Sequence, residues 1–243
     1  MPKVLEYHRP VSLDEAVSLL ALPDAAVLAG GTRINATPFD GQVVAIDIQA
    51  LGLIGIEAIG ASSLRVGAAT TLQQVADHPA VPAVLRELAR REEPSTLRTL
   101  ATVGGTVASG GWESELVTGL LAAGAEVTLR TAAGTKTVGL AALLADCELL
   151  RGALITEVSL LIDGTFAADR TGRTPGDRAI VLAVARRSAA GAVTVALSGI
   201  ATTPLVVENL EGLVPPSDFR GTSEYRRHLA LVLGARVRTA VAA

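Results

Sequence analysis

Apolar positions along the chain fall into two rhythms, and their alternation predicts the order of elements. "KVLEYHRPVSLDEAVSLLAL" opens with a short strand and passes into a helix. Ser12 is placed to cap that helix, with Glu15 three residues on in capping-box spacing. Leu13, Val17 and Leu20 give it an apolar stripe. "DAAVLAGG" reads as a strand of small residues stopped by a glycine pair, and "QVVAIDI" as another strand. "LGLIGIEAIGASSLRVGAAT" reads as two strands joined by a turn at Gly60–Ser63. "TLQQVADHP" is a short helix ended by Pro79, and "VPAVLRELARRE" a second with Pro82 in its first turn. "SELVTGLLAAGAEVTLR" has the spacing of a helix of about three turns, a stop at Gly124 and a strand. After a turn at Gly134, "TKTVGL" and a short helix around Leu140–Ala145 lead to the strand "ALITEVSLLI".

Residues 163–177, "DGTFAADRTGRTPGD", interrupt this rhythm. Rich in Gly, Thr and charge, they read as a linker or mobile loop. Two strands follow, "RAIVLAVARR" and "AVTVALSGIA". A terminal helix over roughly Ser223–Val241 places Tyr225, Leu229, Val232, Leu233 and Val237 on one face. The pattern predicts a mixed α/β domain over residues 1–165 and a small α+β domain over 166–243.

Composition narrows the function classes. Of 243 residues 49% are apolar and only 2% aromatic, so the core must be built from Ala, Val, Leu and Ile. The longest uncharged run, Ser188–Val207, alternates and contains Ser, Thr, Gly and Pro, which suits a buried strand and turn better than a membrane span. The amino-terminal residues lack the form of a signal peptide, so a soluble, cytoplasmic protein is expected. A net charge of −3 with mixed signs argues against a nucleic-acid partner. The single cysteine, Cys147, excludes an internal disulfide and the four thiolates of an iron–sulfur cluster. His8, His78 and His228 are far apart and read as ordinary surface or helix residues.

The candidate chemistry lies in two glycine stretches of the same form, "VLAGGTRIN" (27–35) and "ATVGGTVASG" (101–110). Successive amides in a turn can point at one place, and glycine permits the angles this needs while removing the side chain that would block a ligand. Such a turn suits a phosphate, with the Thr32 and Thr102 hydroxyls as further donors. Neither stretch is a G-x-x-x-x-G-K-[ST] or G-x-G-x-x-G motif, and each can equally be a plain turn.

"LAGGT", followed much later by "TLRTLATVGGTVASGGWESELVTGLLAAGAEVTL", resembles the FAD-binding (medium) subunit of the molybdenum hydroxylase family, of the carbon monoxide dehydrogenase and xanthine dehydrogenase type. The opening "RPVSLDEAVSLL" and the tail "PSDFRGTSEYRRHLALVL" also fit, so the similarity covers most of the chain in the right order. It implies an α+β fold: a two-subdomain FAD-binding module of the vanillyl-alcohol oxidase (PCMH) type, divided at about residue 58, plus a small carboxy-terminal α+β domain. It implies that Leu28, Ala29, Gly30, Gly31, Thr32, Arg33, Ile34 and Asn35 form a first pyrophosphate loop. Ala101, Thr102, Gly104, Gly105 and Thr106 would form a second, with Ser109 nearby. Glu115 would hold the adenosine ribose hydroxyls, where the family usually has aspartate. Leu154 or Ile155 would press on the flavin ring, or simply belong to the strand's core.

The sequence departs from the family pattern in places. Thr106 replaces an asparagine. Arg33 replaces an acidic or small residue and would either pair with the pyrophosphate or face solvent. Trp112 falls where proline is common, and would cover the adenine, meet another subunit or pack. Only Phe166 and Arg170 are available in 163–177 for a flavin contact.

In the family, substrate is oxidised at molybdenum on a large subunit. Electrons then pass through 2Fe–2S clusters on a small subunit to the flavin and on to an acceptor. The resemblance therefore implies both partners, in a heterotrimer or a dimer of heterotrimers, with no metal and no catalytic acid, base or nucleophile on this chain. Three rivals remain: a structural subunit that has lost FAD, a free-standing flavin oxidoreductase, and an unrelated α/β domain with chance glycine turns.

Overall fold

The computed structural model describes residues 3–36, 42–174, 176–210 and 212–243. Three sheets organise it. The first is parallel, built from β1 (Lys3–His8), β2 (Ala25–Leu28) and β3 (Gln42–Asp47) in the order β1-β3-β2, with α1 (Leu13–Leu19) between the first two strands in sequence. The central strand β3 carries the continuous apolar run Val43–Ile46, all buried, as a strand flanked on both sides requires. The Ser12 hydroxyl accepts from the Glu15 amide as its spacing predicts, but the Glu15 carboxylate reaches back to the Val11 amide rather than to Ser12. A short helix α2 (Thr32–Ala36) leaves the end of β2.

The second sheet holds β4 (Ile56–Ile59) and β5 (Ser63–Gly67), then, after a run of helices, β6 (Glu126–Thr131), β7 (Gly134–Gly139) and β8 (Leu154–Leu161). Its order is β4-β5-β8-β6-β7, every neighbour antiparallel. Between β5 and β6 lie α3 (Leu72–Asp77), α4 (Ala83–Glu92), α5 (Ser95–Arg98), α6 (Val103–Ser109) and α7 (Glu115–Ala122). Helix α8 (Leu140–Ala145) follows β7. Helix α7 is shorter than its spacing suggests: Ser114 caps its start, and Gly124, at φ 62°, turns the chain away just past its end. All eight of its residues are buried. A Cβ on Gly119 would meet Leu88 Cδ1 at 2.6 Å and Leu85 Cδ2 at 2.7 Å, so the crossing of α4 and α7 depends on that glycine.

The third sheet, in the order β12-β11-β10-β9, contains β9 (Thr165–Thr171), β10 (Val181–Arg187), β11 (Val193–Ser198) and β12 (Leu205–Val206). The linker expected over 163–177 is therefore corrected: its centre is a strand, paired with β10 from Thr165↔Arg187 to Thr171↔Val181. β9 is an edge strand, and charge and threonine are what an edge tolerates. Leu182, Val184 and Ala196 of this sheet share one core with Leu116 and Leu120 of α7 and with Val127 and Leu129 of the second sheet.

The last helix, α9 (Ser223–Ala242), covers the other face of β10 and β11. Its buried stripe is Arg226, Leu229, Ala230, Leu233, Val237 and Val241, whereas Tyr225 is exposed and Val232 only half-buried. The period was legible and so was much of the phase, Leu229, Leu233 and Val237 lying in the stripe as expected; Arg226 was not anticipated there. Arg226 is fully buried, donates to Ile180 O, Gly199 O and Asp218 Oδ1, and lies over the Trp112 ring at 4.9 Å. Trp112 O in turn accepts from the Gly199 amide at 3.0 Å. The tail motif is thus a fastening that holds the 110–114 segment to the third sheet. Among the described residues no helix is long and apolar enough to cross a membrane.

Candidate functional site

The two glycine stretches meet. β2 ends at Leu28, whose carbonyl accepts from Ile48, and the chain then crosses the segment before α6. The crossing is so close that a Cβ on Gly30 would sit 1.7 Å from Leu100 O. Gly31, at φ 69°, turns the chain into α2. Among the described residues the amides of Gly30, Gly31 and Thr32 make no hydrogen bond.

The second stretch is different. Thr102 caps α6, and its glycines lie within the first turn. The amides of Val103, Gly104, Gly105 and Thr106 are bonded to Thr70 O, Ala68 O, Thr102 Oγ1 and Thr102 O, at 2.8–3.1 Å. A Cβ on Gly104 would lie 2.8 Å from that of Ala68. Gly30 and Gly104 therefore exist for the close approach of backbone to backbone. The idea that the second turn offers open amides is corrected.

Between the turns lies a cavity of about 340 Å³, within the range of small-molecule sites. Of the residues named from the sequence, all line it except Leu28, Asn35 and Glu115, and Trp112, Phe166 and Arg170, offered as further contacts, do not line it either. Leu28 is held in the β2–β3 ladder, and the Asn35 side chain lies outside the described part of the structure. One wall is apolar, made by Val27, Ile48, Leu150, Ala153, Leu154 and Ile155. Of these only Leu154 and Ile155 were anticipated as contacts; Val27 opens the first glycine stretch but was not singled out, and Ile48, Leu150 and Ala153 lie just beyond β3, at the end of a 3-10 turn and just before β8, where the sequence carries no motif.

At one end the cavity meets a charged cluster that sequence reasoning missed. Arg33 and Glu93 both line it, with Arg33 Nη2 3.4 Å from Glu93 Oε1. Arg178 Nη2 lies 3.3 Å from the same oxygen and donates to Glu92 O at 2.8 Å. Glu92 is buried, and its Oε2 accepts from Ser114 Oγ and the Leu116 amide, both at 2.9 Å, so it closes the start of α7. Its Oε1 has no hydrogen-bond partner and lies 3.9 Å from Arg33 and 4.0 Å from Arg178. The only sequence signal was a carboxylate pair before Pro94.

Glu115 stands apart. Its Oε1 pairs with Arg170 of β9 at 3.0 Å and accepts from the Ala179 amide at 3.3 Å, while its Oε2 is buried without a hydrogen-bond partner. Burial pushes its carboxyl up against the pull of Arg170 and the Ala179 amide.

Burial likewise pushes the Glu92 carboxyl above its ordinary 4.5, opposed by the Leu116 amide, Arg178, Ser114 and Arg33. With its pKa raised on folding, the native chain binds more protons than the unfolded one in that window. This contribution to stability is full below 4.5 and is lost as pH rises through the folded value. Glu92→Gln keeps an acceptor for Ser114 and Leu116 but cannot titrate. We expect wild type to lose stability relative to this variant on going from mildly acidic to neutral pH, at up to about 1.4 kcal/mol per pH unit. Urea unfolding across that range checks it, and a pH-independent difference would contradict the assignment. Among the described residues no group of three or more His, Cys, Asp and Glu is placed to hold a metal.

Comparison with known proteins adds an independent line. Residues 3–160 match the family model described as the FAD binding domain in molybdopterin dehydrogenase. The chain is 31% identical over 250 residues to the uncharacterized protein YgfM of Escherichia coli K12, covering 95% of this chain and 93% of that one. It is 26% identical to the carbon monoxide dehydrogenase medium chain of Afipia carboxidovorans, covering 96% and 95%. A solved carbon monoxide dehydrogenase from Hydrogenophaga pseudoflava, lacking the Mo-pyranopterin moiety of its molybdenum cofactor, superposes with a TM-score of 0.88 at 25% identity, over 99% of this chain and 98% of that one.

Proposed function

Because this chain belongs to the family of FAD-binding domains of molybdopterin dehydrogenases, a family of oxidoreductases, we propose that its cavity holds FAD and that it serves as the flavoprotein subunit of a molybdenum hydroxylase. The observation that carries the reading is one cavity bounded by both glycine turns, with unbonded amides at one side and an apolar wall at the other. That donor set fits the group: amides and an arginine for a diphosphate, aliphatic side chains for a flat ring. Flavin, when bound, accepts electrons and passes them on, and that chemistry belongs to the cofactor.

The chain's own residues bind and orient. The amides of Gly30, Gly31 and Thr32 donate to the diphosphate, assisted by Thr102, whose hydroxyl hydrogen is not used in accepting from Gly105. Leu154 and Ile155 give the ring a surface and exclude water. Ala101, Gly104, Gly105 and Thr106 shape the far wall rather than donate. For Glu115 the part proposed is narrower: with Oε1 engaged by Arg170 and the Ala179 amide, its unbonded Oε2 is the atom left for ribose hydroxyls. Its partners would be a small subunit carrying 2Fe–2S clusters, which would supply the electrons, and a large molybdenum-bearing subunit, in the cytoplasm.

Purified chain mixed with excess FAD and desalted tests this. Retained flavin absorbance is the expected result; complete separation of FAD from folded protein would overturn it. One observation favours a second reading, a structural subunit without flavin: the amides of the second turn are all bonded within the chain.

A further inference from the structure

Arg33 follows directly on the turn whose amides are unbonded, yet its guanidinium points to carboxylates. We infer that Arg33 is an electrostatic latch at the cavity mouth, held by Glu93 and surrendered to a diphosphate when one settles on the first glycine turn. This rests on the reading of the cavity as a dinucleotide site and adds a device to it.

The geometry makes the Arg33 arm the exchangeable one. Arg33 is 45% exposed at its side chain, and its contact with Glu93 is 3.4 Å long. Glu93 does not depend on it, because Arg178 Nη2 stands 3.3 Å from the same carboxylate oxygen. Glu92, 3.9 Å from Arg33, keeps its two bonds from Ser114 and Leu116 whichever way Arg33 turns. If Arg33 leaves, two carboxylates still face Arg178, and neither loses its last hydrogen bond. A diphosphate at the neighbouring amides offers denser negative charge and a fork-shaped acceptor geometry that guanidinium matches. Glu93 lines the same cavity as Arg33, so the carboxylate and the incoming anion compete for one cation. The latch therefore holds back affinity and discriminates for ligands that carry phosphate.

The competition gives the idea its test, because removing the competitor must strengthen binding. The full chain is titrated with FAD, with ADP as a diphosphate without flavin, and with riboflavin as flavin without phosphate. Glu93→Gln is expected to bind FAD and ADP about fivefold more tightly, the scale of one exposed ion pair. Arg33→Ala is expected to bind both about tenfold more weakly. Neither substitution should change riboflavin binding. If Arg33→Ala fails to fold, as judged by circular dichroism, Glu93→Gln and Arg33→Lys still decide, the lysine giving an intermediate loss. A folded Glu93→Gln variant that binds FAD and ADP no better than wild type overturns the latch and leaves the flavin reading standing. Tighter ADP binding in that variant, with neither FAD nor riboflavin taken up, supports the latch and overturns the flavin reading. Folded wild type that takes up none of the three overturns both.

Discussion

Gly30→Ala is expected to destabilise the chain by about 3 kcal/mol or more and to abolish uptake of FAD. The new Cβ would stand 1.7 Å from Leu100 O and 2.4 Å from Leu100 C. Both obstacles are backbone, so no side-chain rotation relieves them. Either the β2–α2 turn or the segment before α6 must move, and these are the two walls of the cavity. Overpacking of a well-filled interior ordinarily costs about 1–3 kcal/mol; a clash with main chain lies at or beyond the upper end. Against a total stability of about 5–15 kcal/mol, that is a large share. Gly105→Ala is the control. Its Cβ would meet only the Thr102 hydroxyl, at 3.1 Å, and it sits in α6, where alanine is the better helix former. It should stay within about 1 kcal/mol of wild type. Urea unfolding of both variants decides. A Gly30→Ala protein as stable as Gly105→Ala would mean that the two turns do not abut as described.

Arg226→Ala should be comparably severe, at about 3–5 kcal/mol. The side chain is fully buried and answers three acceptors: the carbonyls of Ile180 and Gly199 and the carboxylate of Asp218. Removing it leaves the two carbonyls without this donor in a space water does not reach freely, takes one charged donor from Asp218, which keeps the Arg220 and Gly221 amides, and withdraws the nearer of two cations above Trp112. Arg226→Lys separates charge from shape. Lysine keeps the charge but cannot fork to carbonyls on two strands' ends and a carboxylate together, so it should recover only part of the loss. Thermal or urea unfolding reads both. A fully stable Arg226→Lys would show that charge alone suffices.

Much of the strand and helix order was legible because the chain is nearly free of aromatic and ambiguous residues, and small aliphatic residues keep time cleanly. The cavity was legible because both its turns carry glycine pairs after apolar runs. What escaped notice has physical reasons. β9 was unreadable as a strand because an edge strand has only half its positions to bury, and Thr165–Thr171 spends them on small and charged residues. Leu229, Leu233 and Val237 of α9 were read correctly as buried, but Arg226 beside them was not, because no hydropathy rule assigns an arginine to a core. Glu93 was missed because a carboxylate at a helix end is ordinarily solvated, and only the fold brings Arg33 and Arg178 to it. The glycines themselves were found for a reason that holds only in part: Gly31 needs its left-handed backbone, but Gly30 and Gly104 answer to crowding within the chain.

Helix α7 carries one more implication. It is only eight residues long and has no wetted side, because the second sheet with α4 lies along part of it and the third sheet along the rest. Such a rod cannot belong to one half of the molecule. Cutting the chain after β8 would strip one flank of that rod and expose the side that packs against β10 and β11. The carboxy-terminal strands are thus scaffolding for a cavity that, among the described residues, they do not line, and loosening them would be felt at Glu92, the residue that ties the rod's first turn to the cavity's charged rim.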